Sequence, residues 1–170
     1  MSSTSYTRRG VVGLGAAIAT SLTGCAGGDG GSGTDPATDT DDARSNDLDR
    51  REANVVGVTV ESEGGGDYRF DVTLLHDDDG EDGYADWWQV ETLAGERLGR
   101  RDLAHPHGTR EFTRSRTVSV PVGTTCVVVR GHDRTHGCGG RAMLVNVETG
   151  DGTAVYQGSE RESVADRECR

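Results

Sequence analysis

From residue 53 onward, apolar and polar side chains alternate in steps of two. Val56, Val58 and Val60 alternate with Gly57 and Thr59, and Tyr68, Phe70, Val72 and Leu74 alternate with Arg69, Asp71 and Thr73. A period of two puts one set of side chains on each face of an extended chain, so each run predicts a half-buried strand. The same reading extends to Tyr84 to Thr92, Arg97 to Leu103, Arg116 to Val122, Thr125 to His132 and Arg141 to Val147. About seven short strands in about 95 residues, with turn residues between them, predict an all-β fold, a single antiparallel β-sandwich over residues 53–150. No window keeps an i, i+3, i+4, i+7 apolar stripe through a full helix.

Within the third strand, Trp87 and Trp88 are adjacent and must point to opposite faces. Alternation with Val90 assigns Trp88 to the core. Trp87 is then a large exposed aromatic and a candidate contact residue, unless a loop or the C-terminal tail packs over it.

The first fifty residues lack this alternation. Arg8 and Arg9 precede a mildly apolar run from Gly10 to Ala19, and small residues lead to Cys25. A run that short falls below the roughly 20 residues a spanning helix needs, so residues 1–24 read as a signal peptide. The arginine pair resembles a twin-arginine export signal, with Val11 and Val12 where a bulkier pair is usual, and the Sec route is the alternative. Leu22-Thr23-Gly24-Cys25 resembles a lipobox, which implies that Cys25 is lipid-modified and becomes the new N-terminus. Residues 25–52 are rich in Gly, Ser, Thr and Asp and read as a lipid-anchored flexible linker. These features predict a protein held by its lipid anchor on the outer face of the cytoplasmic membrane.

Twenty-nine Asp and Glu oppose eighteen basic residues, giving a net charge of −11, and every basic residue is Arg. Nucleic acid is excluded as a partner, because phosphate contacts need a clustered positive face on a basic domain. The composition resembles that of haloarchaeal proteins, whose acidic surfaces stay hydrated in concentrated salt. The acidity therefore requires no acidic active site.

"YADWWQV", "RRDLAHPH", "FTRS" and "VVVRGHDRTHGCGG" together resemble an uncharacterised domain of exported prokaryotic proteins. That domain shares a YADWW run, an L-x-H-x-H, an FTRS and a V-R-x-H before a Gly-rich turn. The resemblance implies no activity, and it implies a tyrosine where Cys138 stands here. Strand spacing and the tryptophan also resemble immunoglobulin and fibronectin type III sandwiches, although the tyrosine usual near the start of the sixth strand is missing at Thr124 to Cys126.

Such a topology would bring the ends of several strands to one pole. His76, His105, His107, His132 and His136 would approach there, with Asp86, Trp87, Arg130 and Asp133 as candidate ligand contacts. The H-x-H and H-x-x-x-H spacings suit a Zn, Cu or Fe site built from His105, His107, His132 and His136. The alternative is that these are solvated loop histidines. Asp77, Asp79, Glu81 and Asp82 suggest calcium, but the run lacks the glycine and closing glutamate of an EF-hand and reads as a hydrated loop. Arg97, Arg100, Arg101, Arg110, Arg114 and Arg116 could take a carboxylate or phosphate bidentately; pairing with the surplus acids of the same surface is the plainer expectation. Cys126, Cys138 and Cys169 allow one disulfide with one cysteine over, Cys126 to Cys138 being one option. Residues 151–170 are expected as a loosely ordered polar tail.

No nucleophile elbow, Walker loop or dinucleotide fingerprint is present. The leading expectation is a noncatalytic, membrane-anchored module that binds a ligand or envelope protein at the loop pole. The alternatives are a His-rich metal protein or small metalloenzyme, and an envelope component with an inert pole.

Overall fold

The computed structural model describes residues 48–77 and 80–170. The signal and lipobox residues Arg8, Arg9, Leu22, Gly24 and Cys25, and the linker up to Asp47, lie outside the described residues.

Eight strands form two antiparallel sheets, with no helix among the described residues: β1 Asn54–Gly64, β2 Asp67–Leu75, β3 Ala85–Thr92, β4 Arg97–Asp102, β5 Phe112–Ser119, β6 Cys126–Asp133, β7 Arg141–Asn146 and β8 Gly152–Tyr156. One sheet has the order β1-β2-β5 and the other β4-β3-β6-β7-β8. The period-two pattern buries Phe70, Val72 and Leu74 of β2 against Trp88 and Val90 of β3, all fully buried. Trp88 is therefore a core residue, as its alternation with Val90 requires.

β1 departs from the simple alternation. A register shift lies between Val55, opposite Leu74, and Gly57, opposite Thr73. A bulge of this kind changes which residues face inward. Val55 is fully buried, with Val58 and Val60 packed against the core, and Val56 is displaced from the inward series. β5 begins earlier than the sequence pattern suggests, at Phe112, so "FTRS" is strand.

The eighth strand lies in the region expected as a loose tail. β8 pairs along β7, placing Val155 opposite Ala142. The chain beyond it lies against the outer face of the five-stranded sheet. Val164 joins Val128, Ala142, Leu144 and Val155 in a second apolar cluster, with Leu93 and Cys169 at its margin. This explains "VVV" in β6: Val127 and Val129 face the sandwich core while Val128 faces the tail, and all three are fully buried. A continuous apolar run marks a strand covered on both faces. The disulfide joins Cys126 to Cys169 and leaves Cys138 free, in place of the Cys126 to Cys138 option.

Candidate functional site

The pairing directions bring the start of β1, β3, β5 and β7 to the same end as the close of β2, β4, β6 and β8. All five histidines lie at or beside this pole. Their side chains do not meet at one point. His105, His107, His132 and His136 divide among three neighbourhoods, and no group of three or more His, Cys, Asp or Glu side chains among the described residues is placed to hold a metal ion. Nothing in this geometry favours a Zn, Cu or Fe centre. Asp79 of the suggested calcium run lies outside the described residues.

The first neighbourhood is a stack of rings in the β4–β5 connection. His105 stacks on His107 at 4.6 Å between centroids, and His107 on Phe112 at 3.9 Å. Burial, with smaller contributions from the Arg114 and His105 charges, lowers the His107 pKa to about 4. At neutral pH this ring is an uncharged packing element. His105 places Nδ1 2.9 Å from the Pro106 carbonyl.

A second neighbourhood lies on the outer face of the five-stranded sheet. His132 Nδ1 is 2.6 Å from Asp86 Oδ1, and its ring stacks on Trp87 at 4.2 Å. From the strand on the other side, the Arg100 guanidinium lies 3.8 Å from the Trp87 ring centroid and donates to Gln89 Oε1 at 2.9 Å. Trp87 is thus not the freely exposed aromatic expected; it is half-buried between side chains of β4 and β6.

The third neighbourhood surrounds Asp133 and His136. Asp133 is fully buried. Its Oδ1 accepts the backbone N–H of Thr135 at 2.9 Å and lies 3.2 Å from His136 Nδ1, which ties the "DRTH" turn together. Beside it Glu52, placed by composition at the end of the linker, is only 5% exposed. Burial first, then the Asp133 charge, pushes the Glu52 carboxyl pKa up. Glu52 also explains the glycine pair after Cys138. A Cβ at Gly139 would come within 2.1 Å of Glu52 Oε2, and one at Gly140 within 2.7 Å of Glu52 Cβ. Above these groups a cavity of about 420 Å³ opens between Leu48, Arg51, Glu52, His136 and Tyr156. Sequence reasoning missed Glu52 and Tyr156; the unexplained "GG" was the one local signal of a close approach.

Arg130, a candidate ligand contact, is instead part of a buried ion network. Its Nε is 3.1 Å from Glu91 Oε2, its Nη2 donates to the Glu162 carbonyl at 2.8 Å, and Arg161 reaches the same Glu91 oxygen at 2.7 Å. Gln89 donates to the other Glu91 oxygen. With Arg130 1% exposed and Glu91 0%, neither is available to a ligand at the surface. Burial pulls the Arg130 pKa down, and Glu91 partly offsets this. Cys138 is half-buried, and burial raises its thiol pKa, so it lacks the electropositive activation of a reactive cysteine.

These features define a two-sheet β-sandwich whose last residues are strapped over one sheet and whose loop pole carries an acid-floored cavity. No family model matches the chain, so the likeness to the exported YADWW domain stands as a resemblance of motifs, and no solved structure matches it. A protein of the haloarchaeon Halomicrobium mukohataei described as "Putative lipoprotein" is 62% identical over 137 residues, spanning 81% of this chain and 68% of the relative. The chain belongs to the same family as that protein.

Proposed function

We propose that the protein is a lipid-anchored, extracytoplasmic binding module. It is exported by the twin-arginine route, cleaved after Gly24, modified at Cys25 and held on the outer face of the cytoplasmic membrane, with the sandwich carried on the linker. The observation that carries the anchor is the Leu22-Thr23-Gly24-Cys25 run in a chain 62% identical to a protein described as "Putative lipoprotein". The cavity at the loop pole supports binding as the role of the module, because it combines an exposed aromatic, Tyr156, with the Arg51 guanidinium and the His136 imidazole. Pockets of this size that pair apolar walls with a few polar groups are the usual form of a ligand site.

Two measurements test the reading. Wild-type protein should partition into detergent, and its N-terminal peptide should begin at a lipid-bearing Cys25; Cys25→Ser should appear in the medium. A wild-type protein found in the medium would refute the anchor. A photo-crosslinking residue at position 156 should trap an envelope component that the same residue at Val122, fully exposed on a turn at the opposite end, does not. Equal adducts from both positions would remove the pole from the proposal.

A further inference from the structure

The β4–β5 side of the sandwich carries a concentration of positive charge that the rest of the molecule does not explain. β4 and β5 are edge strands of different sheets and meet where Val118 packs on Gly99; a Cβ at Gly99 would lie 2.7 Å from Val118 Cγ2. On β5, Arg114 and Arg116 stand opposite Val72 and Phe70, two fully buried residues, so both occupy the inward-facing register. On β4, Arg101 stands opposite buried Trp88, whereas Arg97, beyond a register shift, stands opposite Glu91. Arg97, Arg100 and Arg116 line an open groove of about 530 Å³ together with Leu98, Gly99 and Asp102.

Among the described residues, none of Arg97, Arg100, Arg101, Arg110, Arg114 and Arg116 forms an ion pair, Asp102 included. This overturns the expectation that they pair with neighbouring acids. The chain as a whole carries 29 acidic residues against 18 basic ones, yet the stretch 97–116 holds only Asp102 and Glu111. Guanidiniums gathered on two adjoining strand edges repel one another unless an anion lies between them. Arg110 precedes β5 and Arg100 is engaged with Trp87 and Gln89, which leaves Arg97, Arg101, Arg114 and Arg116 as the uncompensated charges of the two strand edges.

We propose that this seam is the docking site of an extended acidic polypeptide, a partner strand whose carboxylates meet Arg97, Arg101, Arg114 and Arg116. Arg114 and Arg116 are alternate residues of one strand, a repeat of about 6.8 Å, and an extended peptide with Asp or Glu at every second position has the same repeat. Guanidinium forks take carboxylates bidentately, and the free edges of β4 and β5 offer the backbone groups through which an added strand pairs. The inference rests neither on the lipid anchor nor on the cavity at the pole.

Fluorescence anisotropy of a labelled twelve-residue peptide alternating Asp and Thr, titrated with the full-length chain, tests it. The peptide should bind saturably, and its Asn-for-Asp counterpart should not. Arg114→Gln/Arg116→Gln should raise Kd at least tenfold, while Arg167→Gln, outside the seam, leaves it unchanged; circular dichroism confirms that each variant is folded. Absence of saturable binding would overturn the proposal, as would unchanged binding by the double variant. Equal or tighter binding of a charge-matched oligogalacturonate would replace the peptide with a polysaccharide. Self-association of the double variant, with no peptide bound by wild type, would make the arginines an edge guard.

Discussion

Two sets of arginines, one beneath the tail and one at the edge where the two sheets meet, behave in opposite ways. Arg130, beneath the tail, has its guanidinium committed to Glu91 and to the Glu162 carbonyl, and Arg161 closes over the same carboxylate. Arg97, Arg101, Arg114 and Arg116, at the β4–β5 seam, have no carboxylate partner among the described residues. The charge balance of the whole chain does not distinguish them, although residues 97–116 hold six Arg against two acids, Asp102 and Glu111. Desolvation does. A guanidinium taken out of water must be paired, because an uncompensated buried charge costs several kcal/mol, whereas one left in solvent gains little from a partner. Pairing is obligatory where the fold removes water, as at Arg130, and optional at the surface, where Arg51 and Arg69 pair with Asp49 and Asp71 while the seam arginines stay unpaired.

The largest effect should come from breaking the buried set. Glu91→Ala leaves Arg130 buried with no carboxylate, which should destabilise the fold by about 3 to 5 kcal/mol in urea or guanidinium denaturation. Arg161→Gln removes a half-exposed partner of the same carboxylate and should cost about 1 kcal/mol. If Glu91→Ala were no worse than Arg161→Gln, water would reach Arg130 and the contrast between the two sets would fail.

Next comes the strap that keeps the buried set dry. The Cys126–Cys169 disulfide closes a separation of 43 residues. Cys169→Ser should lower stability by about 2 to 4 kcal/mol through the unfolded chain's recovered freedom. It should also free the end of the tail. Hydrogen exchange should then accelerate at the backbone around Val164 and Arg161 before it does in β2, and uniform acceleration would show that the strap is not a separate unit.

Which parts were legible in the sequence follows the same division. Alternation revealed β2 and the inward Trp88, because a period of two survives whatever covers the other face. The Val55 bulge escaped notice, since one inserted residue leaves the composition of β1 unchanged while exchanging its faces. β8 was hidden because "GTAVY" is short and lies in a polar stretch; its burial depends on β7 and on Val164. At the pole, topology brought the histidines to one end, as chain order implies, but each ring is held by a different partner, two of them close in sequence and one across the sheet. Phe112 takes His107, Trp87 takes His132 and Asp133 takes His136, so a shared end did not become a shared site. Glu52 carried no signal except the glycines it requires at positions 139 and 140.

His107 supplies a pH test of a ring kept neutral by packing. Its folded pKa, about 4, lies below the unfolded value near 6.5, so the folded state disfavours protonation. Its contribution is present in full above about pH 6.5, declines as pH falls toward 4, and changes no further below that. Because the ring is only partly buried, the loss should be on the order of 1 to 2 kcal/mol, less than the full shift would give. His107→Phe should keep the stack on Phe112 and flatten stability over that interval. An unaltered slope in the variant would assign the dependence to other groups.

The smallest expected change is at the seam. Arg116→Gln removes one of several like charges and breaks no ion pair, so stability should stay within about 0.5 kcal/mol of wild type and move, if at all, upward. A neutral or stabilising result beside a peptide Kd raised by the Arg114→Gln/Arg116→Gln pair would separate what the seam does for binding from what it does for folding. Had Arg116 been an unrecognised structural partner, its replacement would cost as much as Arg161→Gln or more. The two sets of arginines would then differ in exposure and not in role, and the seam would lose its claim to a ligand.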